Sequence, residues 1–186
     1  MWFSGHKMHA PQGVGFAFIR SGTKVKPLLI GGEQEYGRRG GTENLPGIVA
    51  MGAAVDLLKG DLPAASQRMA QLRDKLETEL MAALPGVTVN GLGPRVVNTT
   101  NLAFKGVEGE TLLTSLDMAG LAVSHGSACS SGALKPSRVL LNMGIPDAIA
   151  STSLRFSLSR FTTEQEIDDA IALVVRELRR LFFLIV

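Results

Sequence analysis

Two apolar stripes at helical spacing constrain this chain more than any other feature. Ala65, Met69, Leu72, Leu76, Leu80 and Leu84 recur every three or four residues with charges between them, and Ile167, Ile171, Val174, Leu178 and Leu181 repeat the pattern near the other end. Such residues line one face of a helix, and that face must be buried against another element. Val87 to Asn90, Val96 to Phe104, Leu121 to Ser124 and Ser153 to Ser159 read as strands between the stripes. Gly109 to Met118, stopped by Gly120, and the shorter Pro136 to Met143 read as helices, and Thr162-Thr163-Glu164-Gln165-Glu166 is a capping-box opening for the last one. Residues 62 to 186 are therefore expected to form an α+β unit, a small sheet backed by helices.

The earlier part reads differently. Gly13 to Arg20 alternates like a strand, and Lys26 to Ile30 is its candidate antiparallel partner. A glycine-rich polar loop from Gly31 to Asn44 follows, and Asn44 caps a helix that has Pro46 in its first turn and ends at Gly60. Asp61-Leu62-Pro63 is expected to break the helical pattern, which divides the chain into residues 1–61 and 62–186. Residues 1 to 7 are dense in reactive side chains with no preceding element to position them, so the chain is expected to begin inside a larger domain.

Composition excludes several classes. The 186 residues are 45% hydrophobic, enough for a sizeable core, and a net charge of +2 with mixed signs makes no basic field for nucleic acid. No apolar run approaches the ~18 residues of a membrane span, and the start lacks a secretory pattern. A single cysteine cannot close an internal disulfide, so the expected compartment is reducing and the expected location cytoplasmic.

Four segments carry chemistry. Ser4-Gly5-His6-Lys7, with Pro11-Gln12-Gly13, offers an amine able to form a Schiff base beside a hydroxyl and an imidazole able to bind phosphate; alone it reads first as an exposed terminal lysine. Gly31 to Asn44 combines glycines with Arg38, Arg39 and Thr42 before a helix, which suits an anion or is a solvated loop whose arginines pair with Glu33, Glu35 and Glu43. It is no P-loop. Ser124 to Gly132 sets Cys129 among serines and glycines, surroundings that suit a reactive thiolate better than the small buried hydrophobe a free cysteine usually is, and His125 reads as a loop residue. Arg155, inside the half-apolar strand that ends near Arg160, needs a carboxylate, from a substrate or from a neighbouring Asp or Glu.

In order and spacing these segments, with Val107-Glu108-Gly109-Glu110-Thr111-Leu112-Leu113, Lys135-Pro136-Ser137 and Leu154 to Glu164, resemble the cysteine desulfurases, the NifS/IscS-like group of class V aminotransferase-fold enzymes, from about Phe3 to about Leu181. The resemblance implies an α/β fold: the carboxyl-terminal part of a fold-type I pyridoxal-phosphate transferase, with residues 1–61 a remnant of the large cofactor-binding domain and residues 62–186 a complete small α+β domain carrying the cysteine loop. It implies pyridoxal 5'-phosphate as cofactor, held covalently by Lys7 and contacted by Ser4 and His6. It also implies a homodimer in which Thr42 reaches the other subunit's phosphate, Arg155 as the clamp on the carboxylate of L-cysteine, and Cys129 as the nucleophile that keeps the sulfur as a persulfide. A sulfur-acceptor scaffold protein and iron–sulfur or thio-cofactor assembly follow as expected partner and destination. No resident metal is implied, although the persulfide of Cys129 can ligate a cluster in passing. His9, Gln12 and Lys135 depart from common family residues, Lys135 in a way that bears on acceptor choice. Family members also carry roughly as much chain again before the lysine, including a ring-stacking histidine and an aspartate on the ring nitrogen, so activity is expected to need an amino-terminal half. A selenocysteine lyase, another class V member, or an inactive truncated remnant are the alternatives.

Overall fold

A computed structural model describes residues 1–91, 93–126 and 136–185, the last three by backbone alone. The chain divides into two compact units, Met1–Leu62 and Pro63–Val186.

The first unit opens with strand β1 (Trp2–Ser4), a 3-10 turn (Gly5–Met8) and strand β2 (Gly15–Ala17). β1 and β2 pair antiparallel with Phe3 opposite Phe16, and those rings stack 4.4 Å apart. The partner expected for β2, Lys26 to Ile30, is not a strand. Pro27 cannot donate a ladder hydrogen bond, whereas an aromatic cross-strand pair stabilises the pairing with β1. One turn, α1 (Gln34–Gly37), interrupts the glycine-rich loop, with Glu35 and Tyr36 left-handed at φ 52 and 57°. Asn44 caps the next helix, its Oδ1 accepting from the Gly47 N–H at 3.2 Å.

That helix, α2 (Leu45–Ala83), does not break where the sequence predicts; it runs through Pro63. An internal proline costs about 3 kcal/mol, partly because the carbonyl four residues earlier loses its donor. Here that carbonyl belongs to Lys59, and residues 59–64 are all exposed, so water can replace the missing donor.

The second unit contains β3 (Val87–Val89), β4 (Thr99–Phe104), α3 (Gly109–Met118), β5 (Ser124–His125), α4 (Arg138–Asn142), α5 (Asp147–Ala150), β6 (Ser153–Ser157) and α6 (Glu164–Ile185). The four strands form an antiparallel sheet in the order β3-β4-β6-β5. The strand expected at Leu121 to Ser124 is confined to Ser124–His125, and α5 had no sequence expectation. The alternation settles which sheet face is buried. Leu102, Phe104, Leu154 and Phe156 are in the core, with Leu72, Leu76, Leu80 and Leu84 of the first stripe and Ile167, Val174 and Leu178 of the second. Each fully buried Leu or Phe contributes about 1.5–3 kcal/mol of transfer free energy, so the two stripes and the sheet stabilise one another. The capping box at α6 is formed in both directions: Glu166 Oε2 accepts from the Thr163 N–H at 2.6 Å, and Thr163 Oγ1 accepts from the Glu166 N–H at 3.1 Å.

The buried carboxylates of this unit are paired. Arg95 donates to both oxygens of Glu77 at 2.8 and 3.0 Å. Burial pushes the Glu77 carboxyl up, but hydrogen bonding and the nearby charges of Arg95 and Arg73 together outweigh it and the group sits below its ordinary value. Glu177 accepts from Ser115 Oγ and Arg176 Nε, each at 2.9 Å, and lies 2.9 Å from Arg180 Nη2. Both buried carboxylates are thereby ion-paired.

Candidate active site

Ser4, His6 and Lys7 fall on the end of β1 and on the turn that follows it. The turn is tight because Gly5 is buried against the opposite strand: its N–H donates to the Val14 carbonyl at 2.8 Å, and a Cβ there would lie 2.8 Å from the same oxygen. Only glycine fits so close an approach. The turn closes with the Ala10 N–H on the Gly5 carbonyl at 3.1 Å, while His9 takes a left-handed φ of 65°. Ser4 Oγ and His6 Nδ1 share a hydrogen bond of 3.0 Å. Lys7 is exposed and its amine has no ion-pair or hydrogen-bond partner among the described residues. A hydroxyl, an imidazole and an unengaged amine on one turn fit an aldehyde cofactor that carries a phosphate: the amine condenses with the aldehyde and the other two bind the anion.

The glycine-rich loop is held by one backbone and one side-chain acceptor. The Gly40 N–H donates to the Leu29 carbonyl at 2.9 Å and the Gly41 N–H to Gln34 Oε1 at 3.2 Å. Neither arginine takes the glutamates that the sequence offers. Arg39 donates to the Gly40 carbonyl at 2.9 Å, and the Arg38 guanidinium lies 5.9 Å from the Tyr36 ring centre. Thr42 is exposed and makes no side-chain hydrogen bond among the described residues.

Arg155 belongs to the other unit. It lies half-buried on β6, directly between Asn101 of β4 and Ser124 of β5, on the face opposite the core. The Asp or Glu partner expected from sequence is absent among the described residues; its Nη2 donates instead to Ser124 Oγ at 3.2 Å. Asn101 is engaged elsewhere, its Oδ1 accepting from Asn90 Nδ2 at 2.7 Å. The adjacent His125, read from sequence as a loop residue, lies instead in β5 and bonds through Nδ1 to the Ser153 carbonyl at 2.9 Å. Ser124 was not singled out from sequence, because a cross-strand neighbour is visible only once the register is known. Cys129 and Lys135 lie outside the described residues.

Two surface clefts, about 290 Å³ beside Leu84, Phe104 and Leu178 and about 430 Å³ beside Glu110, Thr114 and Arg180, are lined by none of Ser4, His6, Lys7, Thr42 or Arg155. Among the described residues no helix is long and apolar enough to cross a membrane, and no three His, Cys, Asp or Glu side chains gather as for a metal.

Comparison with known proteins gives the same family as the motifs. Residues 1–170 match the family model "Aminotransferase class-V". A cysteine desulfurase of Klebsiella pneumoniae is 54% identical over 170 residues, 91% of this chain and 43% of that protein. One from a Nostoc species is 49% identical over 179 residues, 96% of this chain and 45% of that protein. A solved structure described as a NifS-like protein superposes with a TM-score of 0.84 at 35% identity, over 96% of this chain and 46% of that one. The chain thus spans a little under half the length of the relatives it matches. Over that span, fold, motifs and sequence agree, and the chain belongs to the class-V aminotransferase family.

Proposed function

We propose that this chain is the carboxyl-terminal part of a pyridoxal 5'-phosphate-dependent cysteine desulfurase and works with an amino-terminal half. The observation that carries the proposal is the turn at residues 4 to 7, where a free lysine amine stands beside a joined serine–histidine pair, in a chain about half identical to proteins named cysteine desulfurase. Residues 1–61 then belong to the large cofactor-binding domain and residues 62–186 form the small domain.

In this reading Lys7 holds the cofactor through Nζ and moves protons at that atom, and Ser4 and His6 bind its phosphate. When bound, the cofactor supplies an electron sink for negative charge at the substrate Cα. Arg155 grips the substrate carboxylate. Cys129 Sγ, as thiolate, attacks the sulfur of L-cysteine. A sulfur–sulfur bond forms, the carbon–sulfur bond breaks, its electron pair passes to Cβ, and Cβ takes up a proton, so L-alanine leaves and the sulfur stays on Cys129 as a persulfide. Thr42 reaches the phosphate held by a second copy, which makes the working form a homodimer. The persulfide passes to a sulfur-acceptor scaffold protein in the cytoplasm.

The test combines this chain with the amino-terminal part of a matching relative, pyridoxal 5'-phosphate and L-cysteine. One alanine should appear per persulfide in a single turnover. Cys129→Ala should stop persulfide formation, and Lys7→Ala should remove the absorbance band that the bound cofactor adds near the visible edge. Persulfide formation by the Cys129→Ala protein would overturn the assignment. Faster alanine release from selenocysteine than from cysteine would move the proposal to a selenocysteine lyase.

A further inference from the structure

We infer that Ser124 is a positioning residue: it aims the Arg155 guanidinium without neutralising it, so that the positive charge stays available to the carboxylate of an amino-acid substrate. The inference rests on the reading of Arg155 above. An arginine in the middle of a sheet is ordinarily tied to a carboxylate. Among the described residues Arg155 is not. Its flanking positions in the ladder are Asn101 and Ser124, both uncharged, and of these Ser124 hydrogen-bonds to it, at 3.2 Å. Asn90 occupies the Asn101 amide oxygen, and the buried carboxylates Glu77 and Glu177 are taken by other arginines. A hydroxyl oxygen accepts one of the five guanidinium N–H bonds and leaves the remainder, with the full charge, unspent. A carboxylate at the same position would hold the arginine more tightly and cancel the charge the substrate needs.

The strand bearing Ser124 is short, and a second contact fixes it. His125, the next residue, bonds through Nδ1 to the Ser153 carbonyl of β6 at 2.9 Å, which pins β5 against the strand that carries Arg155. The chain then passes directly from β5 through Gly126 toward Cys129. Substrate grip and the start of the cysteine segment therefore share one anchoring point.

Three measurements test this. In the reconstituted protein, Ser124→Ala should raise KM for L-cysteine about three- to tenfold, the net size of one ordinary hydrogen bond, with kcat little changed. Ser124→Thr should restore it. Ser124→Asp should raise KM further than Ser124→Ala while unfolding at no lower urea concentration, an outcome that a purely structural role does not produce. In the isolated chain, nuclear magnetic resonance on isotope-labelled arginine should show slow rotation of the Arg155 Nη groups that becomes fast in Ser124→Ala. An unchanged KM in Ser124→Ala, with a raised KM in Arg155→Ala, overturns the role of Ser124 alone. An unchanged KM in Arg155→Ala overturns the reading of Arg155 beneath it. Wild-type KM in Ser124→Asp refutes the argument from charge.

Discussion

Gly109→Ala separates two opposing effects at the first residue of α3, where the backbone packs against His125 of β5. Helix propensity alone favours alanine by up to about 1 kcal/mol. Packing opposes it. A Cβ on Gly109 would lie 2.5 Å from His125 Nδ1, 2.6 Å from His125 Cε1 and 2.7 Å from the Ser151 carbonyl oxygen. None of these neighbours yields easily: the ring is held by the Ser153 carbonyl, and the Ser151 carbonyl accepts from the Gly109 N–H itself at 3.0 Å. Three neighbours under 3.0 Å put the overpacking in the upper part of the usual range, about 2–3 kcal/mol, so the net effect should be a loss of about 1–2 kcal/mol. Amide hydrogen exchange reads this out within the second unit. The most protected amides of β4 and β6 should exchange about five- to thirtyfold faster in the variant. Adding His125→Ala should recover part of the loss but not all, because the Ser151 oxygen remains in place. Equal or slower exchange in Gly109→Ala would refute the packing argument and leave propensity as the controlling effect.

Leu154, wholly buried on the inner strand β6, should cost about 2–5 kcal/mol when changed to alanine, read as the urea midpoint of the second unit; a loss below about 1 kcal/mol would mean that the core closes around the void. The Glu77–Arg95 pair gives a pH prediction. Because Arg95 holds the folded Glu77 carboxyl below its ordinary 4.5, its contribution is fully present above about pH 4.5 and is lost as pH falls through the lowered value. In Arg95→Met, Glu77 keeps its burial and loses its fork, so its pKa rises instead. That protein should be weaker at neutral pH by about 1–2 kcal/mol and should gain stability as pH falls toward 5, a reversed slope that urea titrations at several pH values detect. A wild-type slope in the variant would show that the fork does not control Glu77.

The helices of the second unit were legible in the sequence because they depend on near neighbours, whereas β1, which precedes the turn that bears Lys7, was not expected. The two stripes, the Asn44 cap and the Thr163–Glu166 box are local patterns, and each appears where its residues lie. Ser4, His6 and Lys7 are within four positions of one another, so a single turn gathers them. Errors arose where distant partners decide. Pro63 reads as a stop by local sterics, but its surroundings are open enough to hydrate the freed carbonyl. Lys26 to Ile30 looked like the partner of β2 because it is close in sequence, whereas the true partner, Trp2 to Ser4, is three residues long and too short to show an alternation. The contact between Arg155 and Ser124 spans 31 positions and depends on the pairing of β5 with β6. No pattern in either segment announces it.

The outer strands of the four-stranded sheet are its shortest, three residues in β3 and two in β5. Backbone donors and acceptors along such rims are what an intruding chain needs in order to extend a sheet, and rims this brief present little template. Growth of ordered aggregates by strand addition is thereby disfavoured without recourse to charged guard residues. Concentrated solutions of this protein should resist fibril formation through this sheet even while its longer inner strands stay intact.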